Sequence, residues 1–296
     1  MAFLLLILIL GIAGLYVYLR QDSLLPTLCG PLLEKARAGC EQKEPLVGTE
    51  PERRPETLPP PKPTAPTEQE RQWAEATGAL PRWPEGLSLP GDCRAASGEF
   101  RALCLELDAR PYIQAWRLEG GTHGFLTRAF RDLMNKPPGV SGELLKLESL
   151  LANVFHVFRA LGAQRTERLR EVLRREQALA EPVALITYRW LMAQAGCPDG
   201  EADISLPTLY EYAAFLLNSM GGQGYLRRRT PRMAALGHYY ALVILDEAMR
   251  RGINHHGVDP RPHIQTCRAL INGQGLLFED RYLGVLQEIE GRWQGR

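Results

Sequence analysis

Apolar side chains recur along most of this chain at intervals of three and four, the period that gives a helix one buried face. Phe100, Leu103, Cys104 and Leu107 form one such stripe; Phe125, Ala129 and Leu133 form another, with Thr122 placed to cap it. The longest runs through Leu144, Leu147, Leu151, Val154, Phe158 and Leu161, and Leu169, Val172, Leu173 and Leu179 follow it. Ser205 is placed to cap a helix carrying Leu209, Tyr212, Leu216 and Met220, and Tyr282, Leu283, Leu286, Ile289 and Trp293 mark a final one. Thr230 before Pro231 and Asp259 before Pro260 each put a capping side chain ahead of a proline at the first helical position. Gly221 and Gly252 fall where glycines end helices. No period-two alternation or hairpin signal interrupts this pattern. The predicted fold class is all-α, an irregular multi-helix bundle of roughly eight or nine helices over residues 68–296. There is no fixed-period self-similarity of the kind that marks a solenoid.

Upstream the pattern changes twice. Ala2 to Leu19 is an apolar run whose only ionisable side chains are Tyr16 and Tyr18. About 18 residues at ~1.5 Å each cross most of a ~30 Å hydrocarbon core, so residues 1–22 are predicted to be a single transmembrane anchor. A cleaved secretory signal needs a basic start and a small-residue cleavage site, and neither is evident. Arg20, Lys35 and Arg37 lie just after the run, while only the α-amino group precedes it. Basic flanks stay cytoplasmic, so the expected address is a single-pass membrane protein with most of the chain in the cytoplasm; an exported domain is the alternative. Residues 23–43 form a juxtamembrane segment. Residues 44–67, EPLVGTEPERRPETLPPPKPTAPT, carry too little apolar surface to offset chain entropy and are predicted to be an extended spacer.

Charge and cysteine usage narrow the picture further. A net charge of +1 removes any global electrostatic case for nucleic acid. With 45% hydrophobic and 23% charged residues, the C-terminal region can bury a sizeable core. The cysteines, Cys29, Cys40, Cys93, Cys104, Cys197 and Cys267, form no C-x-x-C and lack close zinc-ligand spacing. Cys104 sits on an apolar stripe and is expected to fill core. Cys93, read as a loop residue before that helix, could reach Cys104 if the chain folds back, a pairing that also requires an exported domain.

Two stretches are candidates for chemistry. In MGGQGYLRRRTPR, residues 220–232, glycines permit close backbone approach, and Arg227, Arg228, Arg229 and Arg232 precede or open a helix whose N-terminus favours anions. This is the candidate site for an anion or an acidic partner, although no G-K-[ST] follows the glycines as in a P-loop. In NHHGVDPRPH, residues 254–263, His255, His256 and Asp259 are candidate catalytic groups, with His263 nearby. The stretch resembles the HHxxxD motif of acyl-transferring condensation enzymes, with the aspartate one residue early, so no role is carried over. Adjacent histidines in a loop are expected to point apart, and the competing reading makes Asp259 simply a helix cap. His156 is expected to be partly buried with a hydrogen-bond partner. His238, Asp246 and Glu247 lie too far apart on one helix to meet. Without H-E-x-x-H or paired E-x-x-H motifs, no metal or other cofactor is expected. RTERLREVLRREQ, residues 165–177, reads as a solvated helix face with neighbouring charges paired.

This layout predicts a membrane-tethered α-helical interaction module, an adaptor or scaffold that recruits a protein partner. The alternatives are a helical enzyme using the 254–263 loop, and a component of a cell-envelope assembly if the domain is exported. Residues 231–251 separate the two candidate stretches by a helix of ~30 Å, so they are not expected to share a pocket.

Overall fold

Every regular element among the described residues of the computed structural model is helical. Those residues are 93–139, 153, 155–197, 200–227 and 230–294. The apolar run, the juxtamembrane segment and the proline-rich spacer lie outside them, as do Leu144, Leu147, Leu151 and Val154. In chain order the helices are α1 (Cys93–Asp108), α2 (Pro111–Gln114), α3 (Gly121–Met134), α4 (His156–Arg175), α5 (Ala180–Gly196), α6 (Leu206–Asn218), α7 (Met220–Arg227), α8 (Pro231–Arg250), α9 (Pro260–Ile271) and α10 (Glu279–Trp293). A 3-10 turn at Gln177–Leu179 links α4 to α5. Among the described residues no helix is long and apolar enough to cross a membrane.

Two helices make the centre. Helix α8 is buried continuously from Ala234 to Ala248, and α5 nearly so from Ala180 to Gln194. A helix apolar on all sides must be covered on all sides. Helix α8 is covered by α6 and α9, while α5 packs against α1, which also meets α3; α10 closes over α9. Phe100 of α1 stacks on Trp190 of α5 with ring centroids 4.2 Å apart, and Arg189 pairs with Glu99 at 2.9 Å on the same seam.

The start signals fold as their sequence predicts. The Ser205 hydroxyl accepts from the Thr208 N–H, the Thr230 hydroxyl from the Met233 N–H, and the Asp259 carboxylate from the Arg261 N–H. Gly252 takes φ +78° just past α8, a left-handed conformation that side chains resist. Thr122 differs: it lies inside α3, buried, and its N–H donates to Asp108 of α1 at 2.8 Å. A carboxylate from a neighbouring helix thus takes the place of a local cap. Phe158 and Leu161, from the end of one stripe, and Leu169, Val172 and Leu173, from the next, belong to one helix, α4, interrupted at Gly162, where φ is +76°, while Leu179 closes the 3-10 turn.

Gly221 is not a helix end. It lies within α7, which starts immediately after a break at Ser219. Cys104 fills core as its stripe predicts, and the alternative pairing with Cys93 does not form. Cys93 is the first residue of α1, so Cys104, eleven positions along the same helix, is ~16 Å away. A disulfide needs Cα atoms within about 7 Å. Cys197, just after α5, has its Cα 6.5 Å from that of Cys93 and is its partner. Cys104 is a buried free thiol, as is Cys267.

Buried carboxylates tie the helices together. Glu181 at the start of α5 is fully buried and accepts from the Leu277 and Phe278 N–H groups at 2.8 and 2.9 Å and from Arg232 at 3.1 Å. Asp246 of α8 accepts from Arg292 at 2.9 Å and from the Trp293 indole at 2.7 Å, which fastens the last turn of α10. Removing one partner of such a pair leaves a charge stranded in the core, so each fastening is specific.

Candidate functional site

The described part of the 220–232 stretch is built into the fold. Residues 220–227 are helix α7, not a loop. A Cβ added at Gly222 would lie 2.0 Å from the Phe215 carbonyl oxygen and 2.6 Å from the Leu216 Cα. The glycine therefore admits the backbone of α6 rather than a ligand. Arg232, in the first turn of α8, is turned inward to Glu181. Arg228 and Arg229, and the side chain of Arg227, lie outside the described residues. Helix α8 spans Pro231–Arg250 between this stretch and the histidine turn, about 30 Å at 1.5 Å per residue, which keeps the two apart.

The histidine turn is built more tightly than its sequence suggests. After Gly252, the Asn254 side chain brackets Val258: its Oδ1 accepts from the Val258 N–H at 2.9 Å and its Nδ2 donates to the Val258 carbonyl at 3.1 Å. Gly257, at φ +61°, lets the chain close between them. The Tyr210 hydroxyl of α6 donates to Asn254 Oδ1 at 3.0 Å and accepts from the His256 N–H at 3.0 Å. Its ring lies parallel to that of His256 and tilted against that of His255. Burial raises the Tyr210 phenol above its ordinary range, which keeps it protonated and able to donate.

With the turn held this way, the two imidazoles do not point apart. His255 Nε2 lies 2.6 Å from Glu211 Oε1, and His256 Nε2 lies 2.8 Å from Glu211 Oε2. Both rings address one carboxylate, with ring centroids 4.3 Å apart. His255 also lines an open pocket of about 550 Å³ that includes Asn254, Met249, Ile253 and Trp293. Two nitrogen donors and a carboxylate beside a cavity form a set that can hold a proton or a cation.

Asp259 is not part of this group. It caps α9 and is gripped by Arg261, whose hydrogen bonds hold its carboxyl below the usual range. His263 instead faces His238 of α8, with ring centroids 5.6 Å apart. Burial, and then the neighbouring His263, depress His238 to about 4. His156 is partly buried and bonded to the Tyr212 hydroxyl at 2.7 Å, as its apolar surroundings predict. Burial, and then Arg159, push it down to about 4.

Sequence reasoning missed Glu211 and Tyr210. The available signal was one acidic residue in the otherwise uncharged helix LPTLYEYAAFLLN. What defines the described residues is an all-helical bundle with a two-histidine, one-carboxylate cluster at the edge of a pocket. Comparison with protein-family models, curated proteins and solved structures found no match.

Proposed function

We propose that this chain is a tethered helical interaction module of a cell-envelope assembly, with its folded domain on the non-cytoplasmic side. The Cys93–Cys197 disulfide carries this reading, because such bonds persist in oxidising compartments and are rare in the cytosol. The other two described cysteines support it. Cys104 and Cys267 are buried, and burial pushes both thiols up, so neither competes readily as a thiolate during oxidation. The apolar run Ala2 to Leu19 supplies the tether. In polyproline form, the spacer from Glu44 to Thr67 would give a reach of ~70 Å at ~3.1 Å per residue. The disulfide supports the exported alternative over the cytoplasmic address that the basic flank favours.

The recruited partner is a protein, and Arg227 to Arg229 remain the candidate contact on charge. Arg232 leaves that set because Glu181 holds it. The test is thiol alkylation of intact cells expressing the tagged full-length chain, followed by peptide mapping with and without reductant. External protease on the same cells reports sidedness. The expected result is Cys93 and Cys197 recovered as one linked peptide pair, in a domain cut from outside. Free, alkylated Cys93 and Cys197 in a domain sealed from external protease would overturn the reading.

A further inference from the structure

We infer that Glu211, His255 and His256 form a binding site for a divalent transition-metal ion of the Zn²⁺ class. The three ligand atoms, one from each side chain, lie within 4.8 Å of one another. A tetrahedral ion with bonds of about 2.0–2.2 Å wants its ligand atoms roughly 3.3–3.5 Å apart. The two nitrogen–oxygen separations, 2.6 Å to Glu211 Oε1 and 2.8 Å to Glu211 Oε2, are shorter than that. The adjustment is a small ring rotation, which His255 can make because its side chain is 54% exposed. His256 and Glu211 are the better-buried pair and supply the fixed part of the site.

The supporting structure distinguishes this cluster from a casual surface ion pair. Two φ-positive glycines, the Asn254 bracket and a buried tyrosine hydroxyl act together to place consecutive imidazoles on one carboxylate. One carboxylate can neutralise one imidazolium, so a second imidazole adds nothing as a charge partner. As a ligand set, all three groups have a use. A cation takes the Nε2 lone pairs of both rings, each neutral ring carrying its proton on Nδ1 instead, and one carboxylate oxygen. The double-imidazole donor set favours Zn²⁺, Co²⁺ or Ni²⁺ over Mg²⁺ or Ca²⁺, which prefer oxygen. Three protein ligands leave a fourth position to an exchangeable donor such as water. His255 belongs to both the cluster and the pocket, so that position borders the cavity walled by Met249, Ile253 and Trp293.

This site is independent of which side of the membrane the domain occupies. It is tested with full-length, histidine-tag-free protein in detergent, stripped with EDTA and titrated with ZnCl₂ against a chromogenic chelator. The expected result is one Zn²⁺ per chain and a raised Tm. Glu211→Gln and His256→Ala should each weaken binding by at least tenfold. Co²⁺ in place of Zn²⁺ should develop the intense visible bands of a low-coordinate site, and these should vanish in His255→Ala. Because His255 is mostly exposed, that variant keeps the metal-free Tm and separates loss of ligand from loss of fold. Failure of the wild-type chain to bind Zn²⁺ stoichiometrically, or equal binding by a Glu211→Gln/His255→Ala double variant, would overturn the inference.

Discussion

His238 enters the core on α8 with only 5% of its surface exposed, and its Nε2 finds no hydrogen-bond partner among the described residues. Protonating it would place a charge against apolar helix and against His263, the ring that faces it from α9. Its pKa falls from the ordinary 6.5 to about 4 for that reason. The folded state therefore refuses a proton that the unfolded chain accepts between those values. Stability is full above pH 6.5 and declines as pH drops toward 4. The loss attributable to this residue by pH 4 is on the order of 3 kcal/mol. Urea unfolding across that range should show a steep dependence in the wild-type chain and a shallower one in His238→Gln. Equal slopes would mean that the core opens to hydrate the ring. His156, depressed in the same way, keeps part of the slope in that variant.

At the scale of elements, the contact between α6 and α7 turns on a single missing side chain. Gly222 sits where a Cβ would collide with the Phe215 carbonyl and the Leu216 backbone, neither of which can rotate away. Gly222→Ala should destabilise by about 1–3 kcal/mol, the usual cost of overpacking. Gly224, in the same helix, has nothing within 4 Å of an added Cβ. Gly224→Ala should gain up to about 1 kcal/mol from helix propensity. Opposite shifts in the urea midpoint of these neighbours would locate the close approach. The same elements show what sequence could and could not foretell. Helices α6, α8 and α9 were legible because a capping side chain announces each start, followed directly by a proline in α8 and α9. Helix α5 was not, because ALITYRWLMAQ is buried on every side and so presents no contrast between a wet and a dry face. Helix α7 read as a loop because its glycines look like breakers until the backbone they admit is known. The cluster at Glu211 was half legible: the histidines stand out together, but their carboxylate lies 44 positions earlier on another helix. Local periodicity carries no information about such a pairing.

At the scale of the molecule, the Cys93–Cys197 bond closes a sequence separation of 104 residues and locks α1 to the end of α5. A chain-entropy treatment assigns a loop of that size about 4–5 kcal/mol. Reductant, or Cys93→Ser, should therefore lower the urea midpoint of the full-length protein clearly, with α-helical circular dichroism retained in the absence of urea. An unchanged midpoint would place the whole stability in the packed core. Even-numbered cysteines foretold that a bond was available, but choosing the partner needed the packing of α1 on α5, which no spacing rule supplies.

The position of that bond also sets how the domain answers a pull. Tension arriving along the chain from the N-terminal side reaches Cys93 before any other residue of α1. There it divides, one branch following α1 and the other crossing directly to Cys197 and into α5. A domain pulled from its N-terminal side is thus loaded at two helices at once. Helix α1 cannot be peeled away turn by turn, and the disulfide works like the clamp that keeps a tugged cable from tearing at its joint.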